Sequence, residues 1–198
     1  SEFYPITTFE KQWAKGLGLS RSLQYQITRG CARKVLSDLF GIPNLKIPLY
    51  APPGQPPDLL DGCGFVNFSH CGDALLIGWA PKKIGVDLES INRSFQAKKI
   101  ARRYYSPEEQ NLLHSFTGDN LRKSVLRTWV GKEAAIKWQR GNIATDILNW
   151  ELNDTSQQAF HKLKRYHVHI HQIEYQNWYI AVASNSKISH LKPIICHC

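Results

Sequence analysis

The sequence predicts an α+β fold, and three observations predict it. Apolar residues at helical spacing open each half of the chain, short apolar strand candidates close each half, and tight polar breaks separate those strands. Each half reads as helix followed by strands, a plan compatible with two similar lobes over residues 1–93 and 94–198 forming one functional unit. Ser20 is placed to cap a helix running to about Phe40, with Leu23, Ile27, Val35 and Leu39 as its stripe and Gly41 as its stop. Six prolines between Ile42 and Gly62 then force an extended loop. Strands follow at Phe65–Phe68, Ala74–Trp79 and Ile84–Glu89. In the second half, Ser94 opens a basic helix to about Tyr104, carrying Lys98, Lys99, Arg102 and Arg103. Ser106-Pro107-Glu108-Glu109 restarts a helix, with Ser at the N-cap, Pro at the first helical position and Glu placed for a capping box. A long helix runs from Asp119 to about Arg140, closed by Gly141, and strands at Leu148–Leu152, Tyr166–Ile173 and Trp178–Ala183 follow, the last two as a hairpin.

Of the 198 residues, 25 are Lys or Arg against 16 Asp or Glu, a formal charge of +9, and most of that excess (+7) lies in residues 96–198. Such a field calls for an anionic partner. No apolar run reaches the ~18–20 residues of a membrane helix, and Ser1-Glu2-Phe3 opens no signal peptide, reading instead as a processed start or linker remnant. The five cysteines are irregularly spaced, which fits a reduced, cytoplasmic, soluble protein better than a disulfide framework.

Three constellations carry chemistry. Asp87 and Glu89 flank Leu88 on a strand, so their carboxylates share one face, suited to Mg²⁺ or Mn²⁺ with substrate phosphates or, alternatively, simply solvated. Trp129, Glu133 and Lys137 stack at four-residue spacing on a helix, either as a surface pair over a packed ring or as a further carboxylate with a cation for phosphoryl oxygens. Ser69-His70 ends a strand, where hydroxyl and imidazole can meet a phosphate or serve structure alone.

Taken together, Val66-Asn67-Phe68-Ser69-His70, Ile84-Gly85-Val86-Asp87-Leu88-Glu89 and Trp129-x-x-Lys132-Glu133-x-x-x-Lys137 resemble the Sfp-type 4′-phosphopantetheinyl transferases, in particular cyanobacterial-like members. Arg103–Glu109 is similar to that family's basic-aromatic-Ser segment. The resemblance implies a pseudo-twofold α+β protein with a cofactor cleft between its lobes. It implies transfer of the phosphopantetheine arm of coenzyme A to a serine of an apo carrier protein, releasing 3′,5′-adenosine bisphosphate. It places Mg²⁺ on Asp87, Glu89 and Glu133, with Glu133 also the candidate base, and Lys137 on the transferred phosphate. His70, with Ser69, would contact coenzyme A phosphates, and Lys132 belongs to the motif. Arg21 and Arg29 are further candidates for the anionic cofactor. Gln55 stands where the family has a Lys, Cys71 and Val130 where it commonly has small hydroxyl residues, so fine cofactor geometry differs here. The carrier would belong to fatty-acid, polyketide, peptide or glycolipid synthesis, and its acidic surface would dock on the 98–103 cluster of a monomer.

Two other classes fit less well. A Mg²⁺-dependent nuclease pairs Glu and Lys two apart on a strand, whereas Glu133 and Lys137 are four apart on a helix. A nucleic-acid binder lacks its basic strand motif with interleaved aromatics. His167, His169 and His171 read as a polar strand row rather than a metal site, and Cys196-His197-Cys198 as a fraying end.

Overall fold

The computed structural model describes residues 5–153, 157–188 and 193–194; Cys196-His197-Cys198 and Ser1–Phe3 lie outside them. Among the described residues all strand pairs are antiparallel, and helices accompany the sheets, so the chain is α+β. Two compact units divide it between Gly64 and Phe65 rather than at residue 93. The reason is strand pairing: the strand at Ile84–Ser90 is laddered to the one at Trp178–Ser184, so residues on both sides of position 93 share one sheet.

The first unit is built on α1 (Thr8–Lys15) and α2 (Leu19–Phe40). Gly18, not Ser20, is the N-cap of α2, while Gly41 ends it in the left-handed conformation as expected. The expected leucine stripe is not the buried one. Leu23 and Leu39 are 61% and 52% exposed, whereas Tyr25, Arg29 and Arg33, four residues apart, are buried. Their polar heads organise the proline-rich segment, which has few N–H donors of its own. Tyr25 Oη and Arg29 Nε both donate to the Ala51 carbonyl, at 3.0 and 2.9 Å. Arg33 pairs with the fully buried Glu10 at 2.8 Å and donates to the carbonyls of Asn44, Ile47 and Leu49. Glu10 also closes the capping box of α1 with Thr7. The segment is not wholly irregular, since β1 (Leu49–Tyr50) and β2 (Asp58–Leu59) pair within it.

The second unit begins with the hairpin β3 (Phe65–Cys71) and β4 (Ala74–Ala80), turned at Gly72-Asp73. β5 (Ile84–Ser90) follows, then the basic α3 (Ala97–Tyr104) and α4 (Pro107–Leu113), which starts on the expected Ser106 capping box. α3 begins at Ala97, three residues after Ser94, with Gln96 as its N-cap. The long α5 (Gly118–Gln139) ends on Arg140 in the left-handed conformation, one residue before the glycine expected to do so, and α6 (Ile143–Asp146) follows. β6 (Trp150–Asn153), β7 (Gln158–His161), β8 (His167–Tyr175) and β9 (Trp178–Ser184) complete a five-stranded sheet in the order β5-β9-β8-β7-β6. β7 is absent from the sequence reading because its four residues carry little apolar pattern.

Small residues let α5 lie unusually close to this sheet. Ala134 and Ala135 of α5 and Ala181 and Ala183 of β9 are fully buried in one core with Trp150, Val168 and Ile170. At Gly85 the approach is closest. A Cβ there would stand 2.1 Å from the Ala134 carbonyl oxygen and 2.3 Å from the Trp138 nitrogen, both backbone atoms that cannot step aside. Replacing Gly85 by Ala should therefore cost about 3 kcal/mol, at the upper end of overpacking penalties, read as a lower urea midpoint. An unchanged midpoint would show that α5 and β5 can separate without cost.

Asp146 braces the far end of α5. Burial would raise its carboxyl, but hydrogen bonds from the Asn142 N–H, the Gln139 amide and His161 outweigh it and hold the group far below the usual carboxylate range. A depressed folded pKa gives stability that is present above the unfolded pKa of about 4 and is lost as pH falls through that value toward the folded one. The stability gap between the wild type and Asp146→Asn should thus narrow below about pH 4. A gap constant from pH 7 to pH 2 would count against this.

Candidate active site

Alternation along two neighbouring strands builds the site. On β5, Gly85, Asp87 and Glu89 share the face toward α5, while Val86 and Leu88 are buried on the other, where Val86 lies against Gly78. On β3, Asn67, Ser69 and Cys71 share the face toward β5, and each touches it. The Asn67 amide oxygen accepts from Val86 N at 3.1 Å, Ser69 Oγ accepts from Leu88 N at 3.3 Å, and the Cys71 thiol donates to Glu89 at 3.2 Å. β3 and β5 belong to different sheets, so these side chains satisfy an edge that a backbone ladder would otherwise occupy.

Asp87 is the centre. It is 2% exposed, and its Oδ1 accepts from Ser69 Oγ at 2.5 Å and from Lys137 Nζ at 2.6 Å, while Lys137 also reaches Ser69 Oγ at 2.8 Å. Asp87 Oδ2 is buried and has no hydrogen-bond partner. Burial pushes the Asp87 carboxyl up, and Lys137 and Ser69 pull it back only in part. One turn before Lys137, Glu133 is pushed up to about 7, first by burial and then by the nearby Asp87 carboxylate, against the pull of Lys137, with Glu89 raising it further. Glu89 is held from outside by Arg93, which forms an ion pair with its Oε1. The turn after β5 is in turn fixed by Arg122, which donates to the Ile91 and Arg93 carbonyls.

Asp87, Glu89, Glu133, Lys137 and Ser69 are thus brought together. Other expected site residues stand elsewhere. His70 points to the opposite side of β3 from Ser69 and is exposed. Arg21 is exposed on α2, whereas Arg29 is buried with its guanidinium 4.4 Å from the Tyr25 ring centroid, bracing Ala51. Lys132 is corrected from a cofactor contact to a buried structural cation. It is fully buried and its three N–H bonds have three acceptors: Glu109 at 2.6 Å and the carbonyls of Tyr104 at 3.1 Å and Ile147 at 3.3 Å. Glu109, read from sequence only as a helix cap, also accepts from Leu152 N, so one ion pair joins α4, α5 and β6. His167, His169 and His171 alternate with the buried Val168 and Ile170. A cavity of about 160 Å³ beside His169 and His171 lies near none of the site's carboxylates in sequence or lining.

Arg93, Asn67 and Cys71 were not among the expected site residues. The signal for Asn67 and Cys71 was available: both lie two residues from Ser69 on a strand. Arg93 follows the strand in an irregular turn, where no periodicity points to it.

Among the described residues no three His, Cys, Asp or Glu side chains are grouped closely enough to hold a metal ion. The donor chemistry nevertheless fits a hard divalent cation, because a buried carboxylate oxygen without a partner stands with two further carboxylates near it.

Removing the Lys132 ammonium while Glu109 stays buried should cost about 3–5 kcal/mol, the usual result of breaking a buried pair on one side. Lys132→Met is expected to lower the urea midpoint accordingly, and the double change with Glu109→Leu to recover part of the loss. Equal midpoints for wild type and Lys132→Met would contradict this reading.

The 4′-phosphopantetheinyl transferase superfamily model matches residues 83–183, which include Asp87, Glu89, Glu133 and Lys137. The Synechocystis sp. protein slr0495, which carries the name of a 4′-phosphopantetheinyl transferase, is 34% identical over 92 residues, 44% of this chain and 37% of its own. The 4′-phosphopantetheinyl transferase HetI of Nostoc sp. is 30% identical over 121 residues, 59% of this chain and 51% of its own. The chain therefore spans about half, or less, of the length of these relatives. With the family match covering half the sequence and all four charged residues of the site, the chain belongs to the 4′-phosphopantetheinyl transferase superfamily.

Proposed function

We propose that the chain transfers the 4′-phosphopantetheine arm of coenzyme A to a serine of an apo carrier protein, with Mg²⁺ or Mn²⁺ on Asp87, Glu89 and Glu133. The observation that carries this reading is the meeting of Asp87, Lys137 and Ser69 beside a Glu133 raised to about 7, within the segment that matches the family. In the reaction, the serine oxygen bonds to the phosphorus that bears the pantetheine arm. The bond from that phosphorus to the bridging oxygen breaks, and 3′,5′-adenosine bisphosphate leaves with the electron pair. When bound, the cation neutralises the pyrophosphate and draws charge from the transferred phosphoryl group.

The chain's own residues supply the rest. Glu133, pushed up to about 7 by burial and by the Asp87 charge, takes the serine proton. Lys137, a quarter exposed at the last turn of α5, offers its ammonium to the phosphoryl oxygens. Of the residues expected to meet the remaining phosphates, Arg21 and His70 are exposed. Lys98, Lys99, Arg102 and Arg103 are all exposed on α3, while Ala101 faces inward, which suits steering of an acidic carrier. Among the described residues no helix is long and apolar enough to cross a membrane.

Incubation with coenzyme A, Mg²⁺ and an apo acyl carrier protein should add one phosphopantetheine mass to the carrier. Asp87→Ala and Glu133→Ala should each slow this by about 10²–10³-fold, the size of losing an electrostatic partner of the transition state. Charge reversal on α3 should raise KM for the carrier and leave that for coenzyme A. A folded protein that modifies none of several apo carriers would sink the proposal.

A further inference from the structure

The geometry points to Lys137 as a placeholder for the divalent cation: its ammonium neutralises Asp87 until the metal arrives, and must let go of Asp87 Oδ1 for the metal to be held. This inference rests on the metal-dependent reading above.

A carboxylate as deeply buried as Asp87 is costly unless a positive charge accompanies it. Lys137 supplies that charge, at 2.6 Å from Oδ1, but to one oxygen alone; Oδ2 is left buried without a partner. A side chain evolved only to pair with Asp87 would be expected to leave neither oxygen orphaned, as Lys132 and Glu109 show on the other side of the same helix. The two groups that donate to Asp87 Oδ1 are also unequal in freedom. Ser69 is held by Leu88 N as well as by Asp87, whereas the Lys137 head is a quarter exposed on a flexible stem near the end of α5. The ammonium can therefore swing outward while Ser69 and the strand stay in place.

An ammonium has three N–H bonds, and two are committed to Ser69 and Asp87. The group that waits on the carboxylate is thus the same one that the transfer reaction needs on a phosphoryl oxygen. Arrival of the cation at Asp87 displaces Lys137, and an anionic phosphate gives the displaced ammonium somewhere to go. Metal and phosphate then favour one another's binding, with Lys137 as the shared element.

The test is Mn²⁺ alone, titrated into the full chain without coenzyme A and followed by the paramagnetic resonance signal of free Mn²⁺. Lys137→Met should bind Mn²⁺ about tenfold more tightly than the wild type, a common size for coupling between two sites. Lys137→Arg, which keeps the charge, should bind like the wild type, and Asp87→Asn should bind more weakly than either. Because Lys137→Met leaves Asp87 without a neutralising charge, thermal unfolding is followed as well. Mn²⁺ should raise the Tm of Lys137→Met by more than it raises that of the wild type. Lys137→Gln, milder in shape, repeats the comparison if the Met variant does not fold. A wild type that modifies carriers, with neither neutral variant tighter on Mn²⁺, overturns the placeholder alone. A wild type that neither binds Mn²⁺ nor modifies a carrier overturns the functional reading beneath it.

Discussion

The near-contact of β5 with the backbone of α5 at Gly85 is the constraint on which the site depends. A strand carrying any side chain there would be pushed away from Ala134 and Trp138, because the obstructing atoms are helix backbone. Side chains two residues further along β5 and one helical turn away on α5 then meet at hydrogen-bond distance, as Asp87 and Lys137 do. The alanines at 134, 135, 181 and 183 extend the same logic across the layer, since each keeps the helix low on the sheet. Close packing is what brings short carboxylates and a lysine from different elements into one another's field.

A second constraint acts from the other side of β5. This strand is laddered to β9 on one edge, and its opposite edge would expose the Val86 and Leu88 N–H groups. Asn67 and Ser69 satisfy them with side-chain oxygens instead of a continuing ladder. That choice has a chemical consequence. A ladder would have filled the edge with backbone, whereas Asn67, Ser69 and Cys71 fill it with groups that can also bond carboxylates. Ser69 does both, accepting from Leu88 N and donating to Asp87.

The sequence made β4 and β5 readable to within one residue and β3 at its start, because short apolar runs bounded by Gly-Asp and Pro-Lys breaks leave little freedom. β3 runs three residues past Phe68 to Cys71 through polar side chains that carry no apolar signal. It also made the charged centre readable, since period two on a strand and period four on a helix dictate which side chains share a face. Three things were not readable. The buried face of α2 mixes Cys31, Ala32 and Leu36 with the polar Thr28, Arg29 and Arg33, and Leu23 and Leu39 misled because long polar side chains held by distant partners take core positions there. Glu10 and Arg33 are 23 residues apart, and no local pattern announces such a pair. Lys132 sits beside Glu133 in one motif, yet a step of one residue on a helix turns the side chain by about 100°, and that turn separates a side chain at the carboxylate cluster from one held in the core.

The contrast between Lys132 and Asp87 says most about where function lies. Both are charged, both are buried, and both sit at the boundary of α5 with the sheet. Lys132 has a carboxylate and two carbonyls for its three N–H bonds, and Glu109 in turn has a backbone donor on its other oxygen. Folding alone explains that arrangement, because every buried polar atom is satisfied. Asp87 has an orphaned oxygen, a neighbour in Glu133 whose carboxyl it helps to raise, and a neutralising lysine that is a quarter exposed. Folding alone would have removed or completed this cluster, since a half-satisfied buried network is less stable than an apolar one of the same shape. Its persistence at the closest-packed point of the layer follows if a positive charge from outside the chain completes it during use.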